Sequence, residues 1–248
     1  MNKTALLTII SCFFLFALPL SSFAQDEDES KLSVGVALNL DAFFGFYPSL
    51  VGGYELNDNL DFTFYGIQWG AGTGSAWGNW TEFGVGLNYS LGNLDINPQL
   101  GFTMGSLLSS GAAQPGVIGD GIVPNLTMNY GDDMFEGQFY LGYYGALRDE
   151  TAAGQSTNNY MHYWLNAGVK AGTFMSVGAH YEELFLSGGS INEGGSLESA
   201  DGYRWLGPYL QFAKGDAGLR FSFGGDLTDD EDSFSLNDFY KMAFFMNF

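Results

Sequence analysis

The sequence predicts an all-β fold, a single antiparallel transmembrane β-barrel of about 12 strands, with 10 or 14 as alternatives. Three observations predict it. Apolar residues alternate with small or polar ones along most of the chain. Aromatic residues make up 17% of it and charged residues only 15%, where a soluble domain typically carries about a quarter charged. The connections between candidate strands alternate between short and long. No stretch after the N-terminal segment is long and apolar enough for a membrane helix, so apolar side chains have to be hidden one at a time on alternate strand positions.

The N-terminus reads as an export signal. Met1-Asn2-Lys3 is followed by an apolar stretch from Ala5 to Leu20, and Ser22 and Ala24 have the small-residue spacing of a cleavage site. The expected cut precedes Gln25, which divides the chain into a signal peptide, 1–24, and a barrel, 25–248. Cys12, the one cysteine, leaves with the signal, so disulfides and cysteine metal sites are excluded. The mature 224 residues keep all 28 acidic and 7 basic residues, a formal charge of −21. Nucleic acid is excluded as a partner, because phosphate binding needs clustered Lys and Arg.

Residues 32–46 alternate most clearly, with Leu32, Val34, Val36, Leu38, Leu40, Ala42, Phe44 and Phe46 on the even positions. Two further alternating runs, 80–91 and 94–107, flank Gly92-Asn93 and read as a hairpin. The remaining strands are expected at 49–56, 60–69, 122–130, 134–146, 160–171, 174–185, 203–212, 217–226 and 236–248. Short turns fall at 57–59, 92–93, 131–133, 172–173 and 213–216, and long loops at 70–79, 108–121, 147–159, 186–202 and 227–235. Short turns at one end and long loops at the other are the transmembrane-barrel pattern. The break at Tyr47-Pro48 is too tight for that scheme. Pro98 and Pro208 each remove a ladder donor, so a bulge or a near-interface position is expected at each.

A soluble sandwich alternates too, but here the apolar face is almost free of charge. A Lys or Arg on the lipid face at mid-bilayer costs roughly 2–4 kcal/mol, and the charges assigned to strand interiors fall on the other face. Aromatics gather near strand ends, with Phe44, Phe46, Phe83 and Tyr163 towards the outer interface and Tyr89, Tyr130, Phe135, Phe212 and Phe248 towards the inner one. In hydrocarbon only helices and closed barrels satisfy every backbone group.

The end of the chain places Tyr240, Met242, Phe244, Met246 and Phe248 on one alternating face that closes on a terminal aromatic. This resembles the C-terminal signature of bacterial outer-membrane β-barrel proteins. The resemblance covers about one strand. It implies a place in the outer-membrane lipid of a Gram-negative bacterium and assembly by the barrel-assembly machinery.

Parity assigns Asp41, Glu82, Asn88, Gln99, Glu136, Tyr140, Asn166, Lys170, His180, Glu182, Arg220 and Lys241 to the lumen. A small, polar lining suits a narrow passive channel for small solutes or ions. Its mixed charges give no ring of one sign for ion selectivity. Phe43, Tyr65, Trp69, Tyr144, Trp164, Phe239 and Phe245 also point inward, and rings meeting at one height would make a plugged structural or adhesive barrel instead. An outer-membrane lipid-modifying enzyme is the third reading. It would use His162 or His180 with Glu182 as a general base, but Ser176 alone stands nearby and no phospholipase motif occurs. The chain is therefore expected not to be an enzyme and to carry no cofactor or metal site. Asp226, Asp229, Asp230, Glu231 and Asp232 form an acidic loop able to attract cations without EF-hand spacing. The run Asp26–Glu29 reads as a solvated tail, and the glycine-rich loop 186–202 as a mobile segment or lid.

Overall fold

The computed structural model describes residues 31–70, 80–105, 108, 117–148, 156–192, 194–228 and 237–248. The strands are β1 (Leu32–Asp41), β2 (Gly45–Asn57), β3 (Leu60–Trp69), β4 (Trp80–Leu91), β5 (Leu94–Gly105), β6 (Val117–Gly131) and β7 (Phe135–Ala146). They continue with β8 (Asn159–Lys170), β9 (Met175–Ser190), β10 (Ser196–Leu197), β11 (Ala200–Lys214), β12 (Ala217–Asp226) and β13 (Asp238–Asn247). Antiparallel pairing passes from β1 through β9 to β11, β12 and β13, and β13 returns to β1. The result is a closed 12-stranded barrel with one extra strand, β10, paired to the outer end of β9. Closure leaves none of the twelve barrel strands with an unpaired edge, which is what a bilayer demands of strands.

The burial pattern is that of a membrane barrel. Large apolar residues such as Phe83, Leu165, Leu206, Phe221 and Phe244 face outward and exposed, while Asp41, Glu82, His162, His180 and Glu182 are buried inside. A water-soluble fold has the opposite preference. Outward-facing Tyr89, Tyr130, Phe135, Phe212 and Phe248 stand at the short-turn end of their strands.

Three expectations change. The first turn lies at Ala42–Phe44, not at Tyr47-Pro48, and β2 begins at Gly45 (φ 67°). Asp41 Oδ1 accepts from the N–H of Phe43 and of Phe44, at 2.9 and 2.6 Å, so one side chain closes a three-residue turn. Phe44 therefore points into the lumen rather than towards the outer interface. The strand-like alternation ran on to residue 46 because turn residues that fill a core are apolar too.

The prolines keep register without a bulge. Pro98, Pro124 and Pro208 each coincide with a two-residue gap in one ladder, β4–β5, β6–β7 and β11–β12 respectively, beyond which the same register resumes. A missing N–H on one side costs one neighbour's bond and nothing more. Much of the segment 186–202 is strand: β9 continues to Ser190, β10 pairs with it, and β11 starts at Ala200. The expected signal peptide, the acidic tail and Asp229–Asp232 lie outside the described residues.

Candidate functional site

The lumen has a closed section at its long-loop end. Phe43 and Phe44 from the first turn meet Tyr47, Trp69, Trp80, Tyr144, Leu184, Tyr203, Trp205 and Phe239 in one buried cluster. The rings form a continuous path across the barrel. Phe239 stacks on Trp205 at 4.9 Å between centroids and Trp205 on Tyr203 at 4.0 Å. Tyr203 meets Phe43 at 5.0 Å, Phe43 meets Phe44 at 5.0 Å, and Phe44 meets Trp69 at 4.6 Å. Trp69 stacks on Trp80 at 5.3 Å, and Trp80 meets Tyr144 edge-on at 6.1 Å. Each such pair adds about 0.5–1.5 kcal/mol beyond the area it buries.

A polar layer underlies the rings. Glu182 Oε1 is 2.8 Å from His162 Nε2 and accepts from the Tyr203 hydroxyl at 2.8 Å. Its Oε2 is 3.0 Å from His180 Nε2 and 2.5 Å from Lys241 Nζ. Lys241 also lies 3.9 Å from Asp41 Oδ2, so the residue that caps the turn belongs to the same charged group. His180 Nδ1 is held by Asn166 Oδ1 at 2.8 Å. Glu82, on the opposite wall, accepts from the Tyr65 hydroxyl at 2.6 Å and from Trp69 Nε1 at 3.1 Å.

Below this layer the lumen opens into a cavity of about 820 Å³ that reaches the short-turn rim at Ser33, Asn88, Asn129 and Asn247. Glycines make the room. A Cβ at Gly84 would come within 2.2 Å of the Tyr65 ring and one at Gly101 within 2.1 Å of its hydroxyl. Tyr65 therefore lies flat against β4 and β5 instead of crossing the lumen. Gly168 and Gly178 give Tyr209 the same freedom. Tyr209 then reaches Glu136 Oε1 at 2.7 Å, while Ser176 and Gln211 donate to Glu136 Oε2.

The sequence-derived residues separate by height. Asp41, Glu82, His180, Glu182 and Lys241 stand in the polar layer. Asn88, Gln99, Tyr140, Asn166 and Arg220 line the cavity, and Glu136 holds its wall together. Lys170 stands apart: it is exposed at the short-turn rim, with Nζ 2.5 Å from the Asp132 carbonyl oxygen. Of the seven inward rings read from parity, Phe43, Trp69, Tyr144 and Phe239 join the closed section, whereas Tyr65, Trp164 and Phe245 line the cavity. Trp80, Tyr203 and Trp205 were missed, although they share parity with Glu82 and Tyr209. The outer face also carries charge that was overlooked. Arg204 Nη2 donates to Glu183 Oε1 at 3.0 Å, and the Tyr163 and Tyr181 hydroxyls donate to Glu183 Oε2. Tyr240, Met242, Phe244 and Phe248 of the last strand are exposed on the outer face, with Met246 on the same parity. Among the described residues no group of three or more His, Cys, Asp or Glu is placed to hold a metal ion.

The chain belongs to a family of unknown function, DUF6733, whose model matches residues 1–248. No curated protein matches it. The crystal structure of an outer membrane channel from Pseudomonas putida F1 aligns with a TM-score of 0.58 and 13% identity, over 91% of this chain and all of that one. The NanC porin aligns with a TM-score of 0.46 and 9% identity, over 87% and 98% of the two chains. LpxR from Salmonella typhimurium aligns with a TM-score of 0.44 and 10% identity, over 87% and 99%. At these identities the likeness to the Pseudomonas channel is one of fold, the outer-membrane β-barrel.

Proposed function

For this member of DUF6733 we propose a gated conduit for small solutes in the bacterial outer membrane, closed in the conformation described. The single observation that carries the reading is the Asp41-capped turn, which inserts Phe43 and Phe44 across the lumen directly above a preformed polar cavity. A barrel that served only as scaffold would gain by filling that space, since unfilled interior forfeits packing contacts. A permanently open pore would not carry a continuous aromatic section. The short-turn end faces the periplasm in outer-membrane barrels, so the cavity opens inward and the closed section lies outward. The name of the Pseudomonas neighbour, a channel, agrees in direction with this reading.

The reading assigns no catalysis. Both histidines spend a ring nitrogen on Glu182, and Ser176 is bonded to Glu136 instead of to either histidine. It also keeps the barrel-assembly machinery as the partner in biogenesis, engaged through the last strand, with outer-membrane lipid on the apolar face.

The test is conductance of refolded residues 25–248 in a planar bilayer. The wild type should be silent for most of the record, and Phe43→Gly/Phe44→Gly should give stepwise currents. Steady stepwise conductance by the wild type would overturn the gate, and so would a silent double variant that retains heat-modifiable gel migration.

A further inference from the structure

The lining of the cavity differs from the rest of the chain. The sequence carries 28 acidic residues against 8 basic ones. Among the described residues lining the cavity, one is acidic, Asp61, while Arg220 and Lys241 are basic and ten are Asn or Gln. A lining that served only to hold water or pass cations would have no reason to exclude carboxylates from so acidic a protein. An amide group offers two donors and two acceptor lone pairs. That matches a hydroxyl group, which both donates and accepts, better than it matches a full charge of either sign.

The charges that are present are already engaged. Lys241 is bound to Glu182. Arg220 donates to Gln211 Oε1 at 2.8 Å and to Gln138 Oε1 at 3.2 Å, and its guanidinium lies 5.0 Å from the centre of the Tyr209 ring. The amides retain capacity. Asn97 Oδ1 accepts from Thr63, and Gln99 donates to the same hydroxyl. Asn125 donates to the Tyr65 hydroxyl at 2.9 Å, but its own Oδ1 is buried without a partner. A buried acceptor left unmade costs about 1–3 kcal/mol.

We infer that this cavity is a binding site for an uncharged polyhydroxylated solute of the size of a short oligosaccharide, entered from the short-turn end. The inference rests on the gated-conduit reading and names what the conduit handles. The volume of about 820 Å³ lies within the range of about 300–1,000 Å³ usual for small-molecule sites. Tyr47, Trp69, Tyr140 and Trp164 supply apolar walls for the C–H faces of sugar rings. Asn97, Gln99, Asn125, Gln138 and Asn166 supply the hydroxyl partners.

The probe is maltotriose, titrated against refolded residues 25–248 in lipid nanodiscs and followed by tryptophan fluorescence and calorimetry, with hexanoate and spermidine as charged controls. Maltotriose should bind with a dissociation constant of about 1 mM or tighter, the controls at least tenfold more weakly. Asn125→Leu should weaken maltotriose at least tenfold, and Gln99→Leu serves as a second variant if Asn125→Leu fails to fold. Absence of a response to maltotriose at ten times that constant overturns the inference, as does equal binding by hexanoate or spermidine, or unchanged affinity in a folded variant. Bilayer conductance separates the two readings. A silent wild type that ignores maltotriose keeps the gate and sinks the saccharide site, whereas a conducting wild type whose current maltotriose blocks keeps the site and sinks the gate.

Discussion

Replacing Lys241 with Met tests whether one cation holds the lumen's buried carboxylates in place. Lys241 Nζ lies 2.5 Å from Glu182 and 3.9 Å from Asp41. At an effective dielectric of about 20 these contacts correspond to roughly 7 and 4 kcal/mol of attraction. Much of that offsets the several kcal/mol needed to desolvate each ion, and removing one partner of a buried pair typically costs about 3–5 kcal/mol. A second bound comes from protonation, since an ordinary glutamate can be neutralised at pH 7 for about 4 kcal/mol. Lys241→Met should therefore lose about 3–4 kcal/mol at pH 7, read by urea unfolding of the barrel in phospholipid vesicles. Adding Glu182→Gln should recover about 2 kcal/mol of the loss. A loss under about 1 kcal/mol at pH 7, or a double variant no more stable than the single one, would refute the reasoning.

Two further substitutions probe other parts of the barrel. Gly84→Ala drives a methyl into the Tyr65 ring, so Tyr65 must leave Glu82, and the barrel should lose about 1–3 kcal/mol in the same urea assay. An unchanged midpoint would show that Tyr65 has another resting place. At the short-turn end, Asp132 accepts from the Tyr130 hydroxyl and from the N–H of Phe135 and Met134. The Tyr130 hydroxyl and then those amides hold its carboxyl below the usual carboxylate range. That stabilisation is present above the ordinary carboxylate pKa and is lost as pH falls through the depressed one. Asp132→Asn should accordingly be less stable than wild type at pH 7 and equal to it in strong acid, and a difference that persists in acid would contradict the assignment.

The barrel was legible because its signal is spread over every strand. From Leu32 to Leu40 and from Tyr240 to Phe248, two-residue periodicity records which face meets lipid, and no tertiary detail is needed to read it. Glu182, Lys241 and His180 could be sent to the lumen by parity alone. What parity lacks is height. Nothing in the sequence says that Tyr203 from β11 and Phe43 from the first turn stand at one level, because that level follows from strand tilt and register around the ring. Phe44 failed for a different reason: β1 and β2 keep one parity on either side of the aspartate-capped turn, and only the residues within it, Phe43 and Phe44, both turn inward. Glu183 and Arg204 failed because a charge on the outer face is tolerated once Tyr163 and Tyr181 bond it near the end of the apolar band.

The closed section and the charged layer below it are a single mechanical unit. Asp41 fixes the turn through Oδ1 and faces Lys241 through Oδ2, and Lys241 in turn neutralises Glu182, which binds Tyr203 of the aromatic path. Withdrawing Phe43 and Phe44 from the lumen would therefore move Asp41 relative to Lys241 and disturb the group that orders Tyr203. A packed cluster of this kind has discrete arrangements, not a continuum of partial openings. A solute that reached the cavity roof at Lys241, His162 and His180 would touch the layer on which the turn depends. Coupling between occupancy and opening then needs no contact with the rings themselves, only a different affinity of the solute for the two arrangements.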